Sequence, residues 1–440
     1  MNAGQLRRVL TFVFATASTA APFVACVTSE SARDLDDDGG ASDAFVLPEA
    51  SPVDAEADVQ GADAGSRDAD TCSEGGFCSV PVQGLVSLVG VGASSMNDAW
   101  AIARNAILRW DGSAWKKVYV HDGTSPDFYA IHVVAPDDVW VLGTGIIVRY
   151  SALGSAPPTF RSYASSFHGS AADVTASWMD PSSRELWTAA DAKAKGVVGY
   201  RYREQSDGSI TEVSMLDAPI SFPWSTPDAM FFARSIFGFA SDDVYVGGDL
   251  CNVGGKCQSS AERDRYGAIA HYDGQTWSMV ATLDKAQRVS AMFGVAGPDS
   301  SRRLWVLSGT PSVSRSSSLR LLPVAADGAL GAAEFTRTIQ IDSPPASPLK
   351  SVSSGCSRLM GSVLSANEAW FSDVCFVYRW NGSSLDVVST AINGLPLGHV
   401  MGIWGGSADQ AWLVGEYARS SDPAGTLPLG FAAKREGSLP

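Results

Sequence analysis
The stretch Leu88–Val118, LVGVGASSMNDAWAIARNAILRWDGSAWKKV, decides how the chain is built. It opens on an apolar run, turns through small and polar residues, and reopens on an aromatic, Trp100. Ten residues later Trp110 closes a third run, and Asp111-Gly112 follows at once. Such a pair between apolar runs is a hairpin signal, because glycine accepts the positive φ that the turn requires. Trp115 then opens a fourth run. Four short runs parted by turn chemistry describe a four-stranded antiparallel meander.

The pattern returns along the chain. Further units begin YAIHVVAPDDVWVLGTGIIVRY at Tyr129, SIFGFASDDVYVGG at Ser235 and MFGVAGPDSSRRLWVLSG at Met292. Two more read LMGSVLSANEAWFSD from Leu359 and VMGIWGGSADQAWLVG from Val400, and a degenerate one, VTASWMDPSSRELWTAA, starts at Val174. The marker aromatics Trp100, Trp140, Trp187, Tyr245, Trp305, Trp370 and Trp412 recur every 40 to 65 residues. Asp273-Gly274 and Asn381-Gly382 repeat the hairpin turn. Seven units of four strands predict an all-β fold, a seven-bladed β-propeller over residues 72–440. The marker aromatics fall where sheets stack face to face, so inter-blade packing is their expected role. The stretch from Tyr245 to Trp277, YVGG…HYDGQTW, resembles a kelch-type repeat. The units together resemble the propeller repeats of secreted bacterial lipoproteins, a likeness that implies an architecture and no particular activity.

Two segments precede this body. Arg7 and Arg8 lead an uncharged run from Val9 to Ala25, which reads as a signal peptide over residues 1–25. Phe23-Val24-Ala25-Cys26 resembles a lipobox, and the resemblance implies acylation of Cys26. The chain is then expected to be held to a membrane through that lipid anchor. Val27 after the cysteine implies, by the same resemblance, an outer-membrane lipoprotein, facing the periplasm or the surface. Ordinary secretion is the alternative. Residues 26–71 read as a disordered tether, with thirteen acidic residues against Arg33 and Arg67. Such a segment buries too little apolar surface to offset its ordering entropy. Asp34-Leu35-Asp36-Asp37-Asp38-Gly39 imitates half a calcium loop, but Phe45 stands where the closing glutamate belongs, and no metal is expected. Most of the net charge of −15 therefore belongs to the tether. That balance argues against nucleic acid as a partner, since phosphate contacts need a cationic footprint.

Seven cysteines less Cys26 leave six. Their spacing suggests Cys72 with Cys78, Cys251 with Cys257, and Cys356 with Cys375 across the hairpin turn at Ser365–Ala366. Three disulfides would suit an oxidising compartment. The seventh unit supplies strands around Met401–Gly405, Gln410–Gly415 and Leu427–Arg435, and lacks a fourth. Phe77 to Val82, just before the first unit, is apolar enough to become that outer strand and tie the two ends together.

Propeller topology places the connections between strands two and three, and between blades, on one face. The long additions Ser214–Arg234, Leu250–Tyr266, Ser308–Ser318 and Gln340–Gly355 should gather there. They carry Phe222, Trp224, Arg263, Arg265 and Tyr266, a candidate ligand face. Pro323–Glu334 is long too, on the opposite face. No catalytic motif for proteolysis, acyl transfer or phosphate binding occurs, no catalytic residue is nominated, and no cofactor is expected. His121, His132, His168, His271 and His399 are scattered; His132 and His271 read as core or channel residues. Asp137-Asp138 and Asp242-Asp243 are expected to cap turn N–H groups. The sequence thus favours a monomeric, non-enzymatic binding module for a protein or glycan. The alternative is a polysaccharide hydrolase or lyase working at the central channel mouth.

Overall fold
The computed structural model describes residues 72–82, 87–122, 126–152, 158–165, 174–190, 199–215, 220–221, 230–251, 265–285 and 287–297. It continues through 301–309, 316–340, 359–373, 376–392, 398–417 and 430–437. All belong to the second of two compact units in the chain, Ser66–Pro440. Among these residues there is no α-helix, and the strands form seven antiparallel-based sheets. The fold is a seven-bladed β-propeller, as the repeats predict.

Blade one is β2 (Leu88–Ser95), β3 (Asp98–Ala103), β4 (Ala106–Trp110) and β5 (Trp115–Val120). Blade two is β6 (Ala130–Ala135), β7 (Asp138–Gly143), β8 (Ile146–Ser151) and β9 (Thr159–Ala164). Blade three is β10 (Val174–Asp180), β11 (Glu185–Ala190), β12 (Gly199–Glu204) and β13 (Ile210–Ser214). Blade four runs β15 (Met230–Ala240), β16 (Asp243–Cys251), β17 (Arg265–Tyr272) and β18 (Trp277–Lys285). It gains a fifth strand, the short β14 (Ile220–Ser221), laid parallel on β18. Blade five is β19 (Arg288–Ala296), β20 (Arg302–Gly309), β21 (Ser316–Val324) and β22 (Phe335–Gln340). Blade six is β23 (Met360–Ser365), β24 (Glu368–Ser372), β25 (Val377–Trp380) and β26 (Leu385–Val388).

Blade seven takes β27 (His399–Ser407), β28 (Gln410–Glu416) and β29 (Gly430–Glu436) from the C-terminal end. Its outer strand is β1 (Phe77–Val80), antiparallel to β29 with Phe77 opposite Arg435. The N-terminal segment therefore closes the ring, as its apolar character suggests. The Cys72–Cys78 disulfide sits beside this strand.

The core lies between blades. All seven marker aromatics are buried, and several of them meet aromatics of the neighbouring blade. Trp100 packs on Tyr150 at 4.7 Å, Trp187 on Tyr272 at 5.6 Å and Trp305 on Trp380 at 5.2 Å. Trp412 meets Trp110 and Trp115 at 5.1 Å each, so the seam between last and first blades repeats the others. Edge-to-face and tilted contacts of this kind add to the burial of large apolar rings. Close approach on the inner strands needs glycine. A Cβ on Gly238 would stand 2.5 Å from the Trp178 ring, and one on Gly294 would stand 2.1 Å from Phe237.

The hairpin turns form with four loop residues rather than two, because Trp110 pairs with Trp115 across Asp111–Ala114. Gly112, Gly274 and Gly382 all have φ near +90° to +99°. Asp111 Oδ1 accepts the N–H groups of Ser113 and Ala114, and Asp273 and Asn381 do the same in their blades. These hydrogen bonds, led by the Lys116 side chain at Asp111, hold that carboxyl well below the usual carboxylate range.

Candidate functional site
The inner strands ring a central channel with a cavity of about 580 Å³. It is lined by the first halves of those strands, at the end where each strand enters its blade. The register explains how side chains reach it. β2, β15, β19 and β27 each carry a bulge near their start, between Leu88 and Gly90, Ala233 and Ser235, Val289 and Ala291, and Val400 and Gly402. The skipped residues are Val89, Arg234, Ser290 and Met401, and all four line the cavity. A bulge residue leaves the ladder and re-aims its side chain. Tyr129 and Leu359, just ahead of β6 and β23, take the corresponding places in blades two and six.

The ring has two halves. Blades six, seven and one contribute Met360, Gly361, Gly402, Ile403, Gly90 and Val91 behind an apolar mouth. Blades two to five contribute His132, Ser177, Arg234, Ser235 and Ser290. His132 Nε2 lies 2.8 Å from Ser177 Oγ across the seam of blades two and three. Burial pushes its imidazolium down to about 4, so the ring is neutral at pH 7. Burial likewise raises the Tyr129 phenol, which stays protonated. Arg234 is thus the one charged side chain among the described lining residues.

Arg234 is held from behind. Asp249, fully buried on β16, takes Arg234 Nε at 3.1 Å and Arg265 Nη1 at 3.2 Å on the same oxygen, Oδ2. Arg288 Nε lies 3.3 Å from that oxygen. Arg265 also covers the Phe232 ring at 4.7 Å. Of the candidate face residues, Arg265 therefore belongs to this cluster between blades four and five. Tyr266 pairs opposite Leu250 in the sheet. Phe222, Trp224 and Arg263 lie outside the described residues, as do Cys26, Cys257, Cys356, Cys375 and His168. Cys251 is disulfide-bonded and buried. In blade six the bulge between Val363 and Ser365 moves the register to Met360 opposite Ser372, and the turn to residues 366–367.

Of the paired carboxylates, Asp138 and Asp243 do not cap turns as expected. Asp138 is buried, accepting from Arg149 Nε at 2.9 Å and Trp140 Nε1 at 3.1 Å, with Arg184 Nε at 3.0 Å. Asp243 bonds His271 Nε2 at 2.7 Å and pairs with Arg302. The reason is register: an acid two residues before the marker aromatic reaches the base opposite that aromatic on strand three. Asp98, Trp100 and Arg109 repeat the unit, with Arg109 bonded to Asp98 at 2.7 Å and stacked on Trp100 at 4.8 Å. Glu185, Trp187 and Arg201 do so in blade three. The acid-x-aromatic spacing and the following arginine were visible in the repeats, and this recurrence is the signal that could have revealed the network. His271 is a core residue, stacked on Tyr245 at 4.4 Å, as expected. The 325–329 tip between β21 and β22 packs there, where Gly328 O accepts from the Tyr245 hydroxyl at 3.2 Å.

Neither a protein-family model nor a curated protein matches the chain. Solved structures do. Virginiamycin B lyase from Staphylococcus aureus is 12% identical with a TM-score of 0.47, covering 82% of this chain and 98% of its own. YCF48 from Cyanidioschyzon merolae is 11% identical with a TM-score of 0.47, again over 82% of this chain and 98% of that one. A structure of U3-55K gives 10% identity and a TM-score of 0.49, over 83% and 99%. At such identities the likeness is one of fold alone.

Proposed function
We propose that the chain is a non-enzymatic binding module of the cell envelope, anchored by lipid at Cys26 and recognising a protein or glycan through the face where the inner strands begin. The observation that carries this reading is the make-up of the channel mouth. Bulges aim side chains into it, yet none of its described lining residues is Asp or Glu. Hydrolysis of a glycosidic bond ordinarily uses two carboxylates facing each other across the substrate. Here the titratable lining groups are a neutral histidine bonded to a serine, a protonated phenol and an arginine held by Asp249. Such a set can recognise and orient a ligand, and it holds no pair of carboxylates among its described residues.

The test is a panel of glycans and polysaccharides offered to the full chain, with binding and product release measured on the same samples. Binding without turnover is the expected result. Turnover that disappears when a channel-mouth residue is substituted would overturn the reading in favour of a hydrolase or lyase. The anchor has its own test. Cys26→Ser should abolish incorporation of labelled fatty acid and move the protein from the membrane to the soluble fraction. An unchanged distribution would leave ordinary secretion.

A further inference from the structure
The mouth of the channel is built to discriminate. Its ring is Val89, Tyr129, Arg234, Ser290, Leu359 and Met401, one residue from each of six blades. Four of them are bulge residues, where the inner strands of four blades depart from regular pairing. The inner strand of blade three bulges as well, between Val174 and Ala176, and in the other four the skipped residue is on the cavity wall, so these four positions present side chains to the channel.

What the ring presents is amphipathic. Met401, Val89 and Leu359 are neighbours around one arc, with Ile403, Val91 and the glycines Gly90, Gly361 and Gly402 on the same side of the lining. Tyr129, Arg234 and Ser290 occupy the other arc. The guanidinium of Arg234 is fixed by its bond to Asp249, so its direction is set before any ligand arrives. A cation in a concave site has its field focused there, and the cavity volume falls within the ordinary range of about 300–1,000 Å³ for small-molecule sites.

We infer that the channel mouth binds a small free amphiphile with one anionic group, a fatty carboxylate or its like, head to Arg234 and chain along the Met401–Val89–Leu359 arc. A cationic amphiphile is disfavoured by Arg234, and a neutral one forgoes the charge-assisted hydrogen bond. This assignment does not depend on which macromolecule the propeller engages.

Isothermal titration of the full chain with octanoate, octanol and octyltrimethylammonium tests it. Octanoate should bind once per chain and at least about tenfold more tightly than octanol, the size expected of a hydrogen bond to a charged group. The cation should bind weakest. Arg234→Met should reduce octanoate to the level of octanol while octanol itself is unchanged. That substitution also disturbs the Asp249 cluster, so Ser290→Asp provides a second variant. It leaves the Arg234–Asp249 bond in place, adds a carboxylate to the polar arc and should weaken octanoate selectively. Met401→Gln should weaken octanoate and octanol together. No octanoate binding, equal affinity for the three probes, or selectivity that survives both polar-arc variants would overturn the inference.

Discussion
Asp138 of blade two is fully buried and answered by Arg149, Arg184 and the Trp140 indole, whereas the same position of blade seven is Gln410, exposed. Opposite the marker aromatic, blade two has Arg149 stacked on Trp140 at 4.9 Å and paired with Glu204 of the next blade. Blade seven has Lys434 there, lying 5.3 Å over Trp110 of blade one. Burial opposes the charge of Arg149, but hydrogen bonding to Asp138 and the nearby carboxylates outweigh it and raise its pKa above the ordinary value. In blade seven the buried base is Arg435, stacked on Trp370 at 5.2 Å. Its pKa is lowered by burial and by Arg379. Blade seven joins the two ends of the body, and apolar burial, the aromatic seam and a disulfide hold it. Blade five, continuous like blade two, has Arg303 two residues before Trp305 and Leu321 opposite that ring, and so lacks the acid–aromatic–base unit. The contrast teaches that the repeat fixes where a charge network can form, and the residue types at its acid and base positions decide whether it does.

The comparison breaks most readily at Asp138. Replacing it by alanine leaves buried Arg149 with Glu204 as its one remaining carboxylate partner and should cost about 3 kcal/mol, read as a shift in urea midpoint. A loss below about 1 kcal/mol would place blade two in the same class as blade seven. His132 comes next, with a sign that can be worked out. Its folded pKa of about 4 lies below the ordinary imidazole value of 6.5, so the unfolded chain takes the proton first as pH falls. Its contribution is therefore intact above pH 6.5 and is lost progressively down to about 4, up to about 3 kcal/mol in all. Denaturation at pH 7 and pH 4.5 should show the loss, and His132→Gln should flatten it.

Much of this was legible in the chain. The seven marker aromatics and the DG and NG turns gave blade number and strand order, because burial between sheets and positive φ are demands that particular residue types meet. The N-terminal strand could be anticipated from a missing partner in the last blade. The channel mouth could not be read. A bulge depends on how two strands share their register, and nothing in Val89, Arg234, Ser290 or Met401 taken singly announces it. Asp138 and Asp243 were misassigned to turns for a related reason. They stand beside turns in sequence, and only the pairing of strands two and three brings them to their arginine or histidine partners.

Covalent closure offers a sharper probe of blade seven. The Cys72–Cys78 link fastens a short loop beside β1, whose Ser73 hydroxyl also reaches Ser389 O of blade six at 2.9 Å. For a loop of this size Cys78→Ser should cost about 2 kcal/mol. Hydrogen exchange at Phe77–Val80 should rise with it, while the amides of β7 keep their protection. Equal deprotection of both blades would mean that the ring opens as one unit and that the two blades are not held separately.

The smallest effect is the most discriminating. Lys434 has the strand-three position that Arg149 has in blade two, but its side chain is about one-quarter exposed and its acid partner Glu436 lies 3.3 Å away near solvent. A pair in that setting contributes little, and the cation over Trp110 adds at most about 1 kcal/mol. Lys434→Met keeps the stem that covers the indole and removes only the charge. Its expected cost is therefore below about 0.5 kcal/mol, with a salt dependence no larger than that of the parent chain. The matching change in blade two, Arg149→Met, leaves Asp138 buried beside a single remaining arginine and should cost several times more, about 3 kcal/mol. Equal costs would mean that the base opposite the marker aromatic does the same work in every blade, whichever acid accompanies it.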